Sequence, residues 1–141
     1  MRVNEECMYR FNKEFNYNFV EINKDKRDSK SQDIILSENM PILCKRTNKK
    51  LNILNSEIFK VIKISSTHFT IINGEKEKVD IEIKNFHKLF YPGFCITVYA
   101  SQGETYKEKY SIYDWNFKYF DNRAKYVAMS RSSHIDHIQI A

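Results

Sequence analysis

Between Ile34 and Lys84 the chain is a succession of short apolar, β-branched stretches separated by turn residues, and this pattern restricts it most. Ile34-Ile35-Leu36, Pro41-Ile42-Leu43-Cys44 and the run from Ile58 to Ile64 have the composition of strands. Phe69-Thr70-Ile71-Ile72 leads into Asn73-Gly74, a pair that accepts positive φ and marks a hairpin. Val79-Asp80-Ile81-Glu82-Ile83 then alternates an apolar face with a charged one. Several short antiparallel strands over so few residues predict a small β-barrel. Upstream, the alternation of Tyr9, Phe11, Phe15, Tyr17 and Phe19 around Asn12-Lys13-Glu14 predicts two strands joined by a turn within residues 7–22. The polar stretch Asn23 to Asp33 is a loop by composition and reads first as solvated, with contact of its basic residues to a phosphate backbone as the alternative.

Beyond Lys84 the pattern changes to α/β. Phe94-Cys95-Ile96-Thr97-Val98-Tyr99 has the composition of a buried strand, broken by Ser101-Gln102-Gly103. Tyr110-Ser111-Ile112-Tyr113 predicts another strand. Asp121-Asn122-Arg123 can start a helix that buries Tyr126, Val127 and Met129 on one side, and His134 to Ile140 alternates enough for a terminal strand. A length of 141 residues suits one core, or two small ones. The 42% hydrophobic and 14% aromatic content argues for a folded chain.

A net charge of +5 is compatible with a polyanionic partner. Cys7, Cys44 and Cys95 are odd in number and widely spaced, which fits free thiols in a reducing compartment. No apolar run approaches the ~20 residues of a membrane span, and the start, Met1 to Glu6, lacks the apolar centre of a signal peptide. An intracellular protein with no membrane partner is expected.

Two segments of the last third carry chemistry. In the first, Thr97 to Thr105, a strand ends at a small, glycine-containing turn, the kind of place where α/β folds bind ligands. Thr97 and Ser101 can donate to phosphate oxygens, Tyr99 can stack on a base, and Gly103 lets the backbone approach closely. By composition alone, an ordinary strand and turn have the same signature. In the second, Tyr126-Val127-Ala128-Met129-Ser130-Arg131, an arginine on a rigid element suits a γ-phosphate, because its planar guanidinium stays charged and donates two parallel hydrogen bonds. Taken alone, it reads first as a surface arginine near a helix C-terminus.

Order and spacing bring these pieces together. Met40 to Asn48, then Leu54-Asn55-Ser56-Glu57, then the Gln-Gly segment, then Tyr126 to Arg131, resemble the C-terminal half of superfamily 1 DNA helicases of the RecD and UvrD type, with similarity to helicases of large DNA viruses. The resemblance runs from about Ile34 to the end and implies an α/β fold. That fold is a partial RecA-like domain of the P-loop NTPase type with an inserted, small antiparallel Src-homology-3-like barrel. Residues 1–33 would be N-terminal strands and a polar loop, 34–86 the barrel, and 87–141 the C-terminal RecA-like segment with motifs V and VI. Thr97, Val98, Tyr99 and Ser101 would lie along single-stranded DNA. Gln102, Gly103 and Glu104 would sit near the nucleotide, and Arg131 would be the finger that reaches ATP held mainly by the other RecA-like domain. Tyr99 stands where the family usually has His, Ala100 where Lys or Arg is common, and Asn55-Ser56 where Asn-Gly is typical. Ala100 removes a phosphate contact, and Asn55-Ser56 predicts a relaxed turn.

A phosphate-binding loop needs glycines followed by Lys and Ser or Thr. Gly74, Gly93 and Gly103 are the only glycines in the sequence, and none has that context. No apolar strand ends in Asp-Glu to hold magnesium. The expectation is therefore a helicase lobe, inactive alone, that meets ATP and Mg2+ only when the missing N-terminal helicase domain completes it. A split gene product, a truncated frame or an excised piece would each fit, and viral replication sites in a host cytoplasm would suit the viral likeness. One rival is a non-catalytic module that binds single-stranded nucleic acid or a replication protein, and another is a decayed fragment. His134 and His137 read as surface residues before metal ligands. Cys95, Trp115, Phe117, Tyr119 and Phe120 read as core residues, with base stacking as the other role for the aromatics.

Overall fold

The first element is a helix where strands were expected. In the computed structural model, which describes residues 2–141, α1 spans Arg2–Glu14; Met1, the first residue of the segment read for a signal sequence, lies outside them. Val3, Cys7, Met8 and Phe11 fall at helical spacing and are buried or half-buried, whereas Tyr9 faces solvent. The aromatic alternation therefore ran across a helix end: Phe15 and Tyr17 lie in the following loop and Phe19 opens β1 (Phe19–Ile22). Glu5 in the first turn and Lys13 in the last complement the helix dipole.

Residues up to Cys95 and those from Ile96 form two compact units. In the first, β1 pairs antiparallel with β2 (Ile34–Ser37). The central strand β3 (Pro41–Cys44) lies between β4 (Ile58–Lys60) and β8 (Phe90–Pro92), both antiparallel to it. A second sheet joins β5 (Lys63–Ile64), β6 (His68–Ile72) and β7 (Lys78–Glu82) as an antiparallel meander. A 3-10 turn and the short helix α2 (Phe86–Leu89) lead into β8.

The strands expected between Ile34 and Ile83 thus form, but they do not close a barrel. Ile58 to Ile64 is two strands: after Lys60 the backbone of Val61 exchanges hydrogen bonds with Asn39 and Met40, and the two three-stranded sheets share no ladder. What joins them is side-chain packing. Leu36, Met40, Ile42, Val61, Phe69 and Ile71 are buried in one cluster with Phe59, Phe86 and Phe90. Phe69 meets Phe86 and Phe90 edge-on with ring centroids 5.8 Å apart. Such contacts add about 0.5–1.5 kcal/mol per pair beyond the area they bury.

Two turns differ from their sequence reading. The β6–β7 hairpin forms at Asn73-Gly74, but its positive φ falls on Lys76. Asn73 instead caps the turn through its side chain, accepting from the N–H groups of Glu75 and Glu77 at 3.0 Å each. Ser56 takes φ 71°, so the Asn55-Ser56 turn keeps the left-handed backbone that glycine would allow more easily.

The second unit contains β9 (Tyr110–Ile112), α3 (Asn122–Met129), a 3-10 turn at Ile135–His137, and β10 (Ile138–Ile140), parallel to β9. β9 and α3 stand where the sequence placed them, whereas the last strand keeps only its final three residues. Phe94 to Tyr99 is not a strand: Val98 to Gly103 is a series of turns. Among the described residues, Ile112 and Ala128 are the only hydrophobic side chains of this unit that are buried. Tyr126, expected inside, is 74% exposed, and Phe117 and Tyr119 are exposed as well.

Candidate functional site

The two segments singled out by the sequence meet within the second unit. Asp121 caps α3 by accepting from Ala124 N at 2.8 Å, which fixes where the helix starts and, eight residues of helix later, where Ser130 and Arg131 emerge. Arg131 Nε donates back to Val127 O at 3.1 Å, and Nη2 donates to Ser130 Oγ at 3.1 Å. The third bond crosses to the other segment: Nη1 donates to Glu104 O at 3.2 Å. The backbone repeats the link, because Tyr106 N donates to Arg131 O at 2.7 Å and Tyr106 bridges Ser132 in parallel.

A guanidinium carries five N–H donors. Each nitrogen of Arg131 makes one bond, so Nη1 and Nη2 each keep one N–H with no partner among the described residues. No carboxylate there forms an ion pair with it. The side chain is half-buried, held by its own helix and by the Glu104 turn, with two N–H groups left to donate to an oxyanion.

The first segment is wound into overlapping turns. Thr97 Oγ1 accepts from Ala100 N at 3.1 Å, which leaves the hydroxyl proton free to donate outward. Ser101 N donates to Thr97 O and Val98 O, and Gln102 N to Tyr99 O. Ser101 is buried, and its hydroxyl donates to Val98 O at 2.6 Å. Tyr99 projects at 83% exposure, Val98 is half-buried, and Gln102, Gly103 and Glu104 are exposed. Gly103 has φ 85° with nothing near a would-be Cβ, so it serves the turn through its backbone alone.

Two tyrosines that the sequence reading passed over brace this junction. Tyr110 Oη donates to Ala128 O at 2.6 Å and ties β9 to the end of α3. Tyr106 packs against Tyr110 at 5.5 Å between ring centroids, and its buried hydroxyl has no hydrogen-bond partner among the described residues. Burial raises both phenols above their ordinary range; Glu104 adds to the effect on Tyr106, and the Arg131 charge opposes it on both. Their spacing of four, with Tyr110 opening a strand, was the available signal. The two histidines read as surface residues stand with rings 5.3 Å apart. Among the described residues, no group of three or more His, Cys, Asp or Glu could hold a metal ion.

The fold has counterparts among solved structures. A Bacteroides Pif1 bound to single-stranded DNA superimposes with a TM-score of 0.72 at 16% identity, covering 99% of this chain and 38% of that one. The fold resembles part of a Pif1 helicase structure. A Bacteroides Pif1 helicase in complex with ADP-AlF3 and single-stranded DNA gives 0.70 at 16% identity, covering 99% and 37%. A Pif1 helicase from a study of unwinding at forked double-stranded DNA gives 0.64 at 19%, covering 88% and 32%. The chain thus spans about a third of the length of the structures that it matches. No protein-family model and no curated protein matches it. No helix among the described residues is long and apolar enough to cross a membrane.

Proposed function

We propose that this chain acts as the second RecA-like lobe of a superfamily 1 DNA helicase, supplying an arginine finger and part of the track for single-stranded DNA. The observation that carries the reading is the Arg131–Glu104 contact. It joins the segment resembling motif VI to the segment resembling motif V through the residue that the chemistry needs. In phosphoryl transfer an arginine acts by stabilising charge that develops on the γ-phosphate, and it does so best when preorganised. The two unspent N–H groups of Arg131 suit that task. ATP and Mg2+ would be held by a second domain carrying the phosphate-binding loop and the magnesium carboxylates, in the same polypeptide or another. Glu104 would couple that site to the strand, because a single run of overlapping turns connects its carbonyl to the exposed Tyr99 and Thr97.

The Pif1 structures carrying single-stranded DNA support a strand contact in this fold. Here Tyr99 would stack on a base and the Thr97 hydroxyl would donate to phosphate. Mixing the chain with the matching N-terminal helicase domain tests the reading. ATP hydrolysis stimulated by single-stranded DNA should require both parts. The same low rate with and without this chain would overturn the reading.

The reading as a non-catalytic strand-binding module rests on the exposed Tyr99, Phe117, Tyr119 and Tyr126. It requires salt-dependent oligonucleotide binding with no hydrolysis on adding the other domain.

A further inference from the structure

The first unit holds a cavity that the helicase reading does not use. It has a volume of about 410 Å³ and is walled by the loop after β1, the end of β3 and the α2–β8 corner. The loop is braced over it by His87. Its Nε2–H donates to Asn23 O at 2.8 Å, and its Nδ1 is hydrogen-bonded with Ser31 Oγ at 3.3 Å. Ser31 Oγ in turn accepts from Asp25 N at 2.8 Å.

The charges inside do not cancel. Arg27 sits on Asp25 at 3.3 Å, its N–H and guanidinium together holding that carboxyl below the usual range. Lys45 faces Asp28 at 3.7 Å, longer than a hydrogen bond. Arg46 and Lys88 also line the cavity and have no ion-pair partner among the described residues. Arg27, Lys45, Arg46 and Lys88 against Asp25 and Asp28 leave a surplus of two positive charges.

Lys45 marks where the ligand would sit. Its side chain is 13% exposed, and its ammonium donates to His87 O at 2.5 Å and lies 4.2 Å over the Tyr91 ring. One N–H is thus well bonded, while the contact with Asp28 falls short of a hydrogen bond. Burial pulls its pKa down, and Asp28 only partly offsets this. A mostly covered lysine side chain whose ammonium has an incomplete shell is costly unless an anion completes it.

We infer that this cavity is a phosphate-binding site, taking the phosphate of a nucleotide or of a nucleic-acid strand between Lys45, Arg46 and Lys88. The ligand is an oxyanion carrying one or two charges, which the surplus matches. Its oxygens complete the Lys45 shell and meet Arg46 and Lys88 at the mouth. The site belongs to the first unit by itself and requires neither Arg131 nor a second helicase domain.

Amide NMR titrations of the full chain with inorganic phosphate, with dTMP and with a short oligo(dT) test the inference. Resonances of Lys45, Arg46, His87 and Lys88 should shift and saturate. Saturation by the free anions marks a small-molecule site, and saturation by the oligonucleotide alone marks a strand site; either upholds phosphate recognition. Arg46 and Lys88 are exposed, so the R46A/K88A double substitution should leave the rest of the spectrum in place. It should weaken binding roughly tenfold or more and lower the salt slope for the oligonucleotide by roughly one to two. Asp28→Asn removes a competing carboxylate and should tighten binding. No shift with any probe, or equal affinity in the wild type and both variants, would overturn the inference. Failure of ATP hydrolysis in the two-domain mixture, with these shifts intact, would count against the helicase reading alone.

Discussion

A side chain at Gly93 would have nowhere to go. A Cβ there would stand 2.9 Å from the carbonyl carbon and 3.0 Å from the nitrogen of Ile42, and both are backbone atoms of the central strand. Gly93 N also donates to Pro41 O at 2.9 Å, so the close approach locks β8 to β3. Gly93→Ala should therefore destabilise the first unit by about 1–3 kcal/mol, read as a lowered urea midpoint. An unchanged midpoint would mean that β3 yields. Cys44, 1% exposed on the same strand, sets a pH dependence. Burial raises its thiol above the usual 9.0. The unfolded chain then loses this proton first, so stability is full below about pH 9 and falls as pH rises through and above that value. Tyr106 and Tyr110 act with the same sign above their usual 10.0, whereas Lys45, depressed from 10.5, acts with the opposite sign. Urea midpoints measured between about pH 8 and pH 10 should fall less steeply for Cys44→Ala than for the wild type. Parallel profiles would remove Cys44 as a cause.

Among the elements, α3 depends most on one residue. It is short, buries only Ala128 and takes its start from Asp121, whose carboxylate accepts from Ala124 N. Asp121→Ala should cost about 1 kcal/mol of helix stability, and Asp121→Asn should retain most of it. Circular dichroism melts of the two variants would check this, and identical melts would contradict it. The Asp121 cap was legible in the sequence, as were the strands from Ile34 to Glu82, because β-branched alternation and turn residues act locally. Two other elements were not. The aromatic alternation from Tyr9 to Phe19 hid α1, since Val3, Cys7, Met8 and Phe11 carry the buried helical face. Phe94 to Tyr99 has a strand's composition, but a strand needs a ladder partner, and the local alternative offered by Thr97 and Ser101 closes turns instead. Barrel closure is likewise a pairing between distant strands, which local pattern does not encode.

At the scale of the whole molecule, the sequence named the candidate residues and the structure brought two segments of them together. Arg131 and Glu104 are 27 positions apart, and only the fold of the second unit makes them neighbours. Tyr106 and Tyr110, which hold that junction, carried no motif to announce them. The chain covers 38% or less of each Pif1 structure described above, and the proposed chemistry would require a domain that holds the nucleotide. The direct test is single-turnover ATP hydrolysis by this chain combined with the matching N-terminal helicase domain and single-stranded DNA, comparing wild type with Arg131→Ala. If Arg131 is the finger, the rate should fall on the order of a thousandfold while ATP binding changes little, and Arg131→Lys should not restore it. Hydrolysis at the wild-type rate in Arg131→Ala would contradict the account.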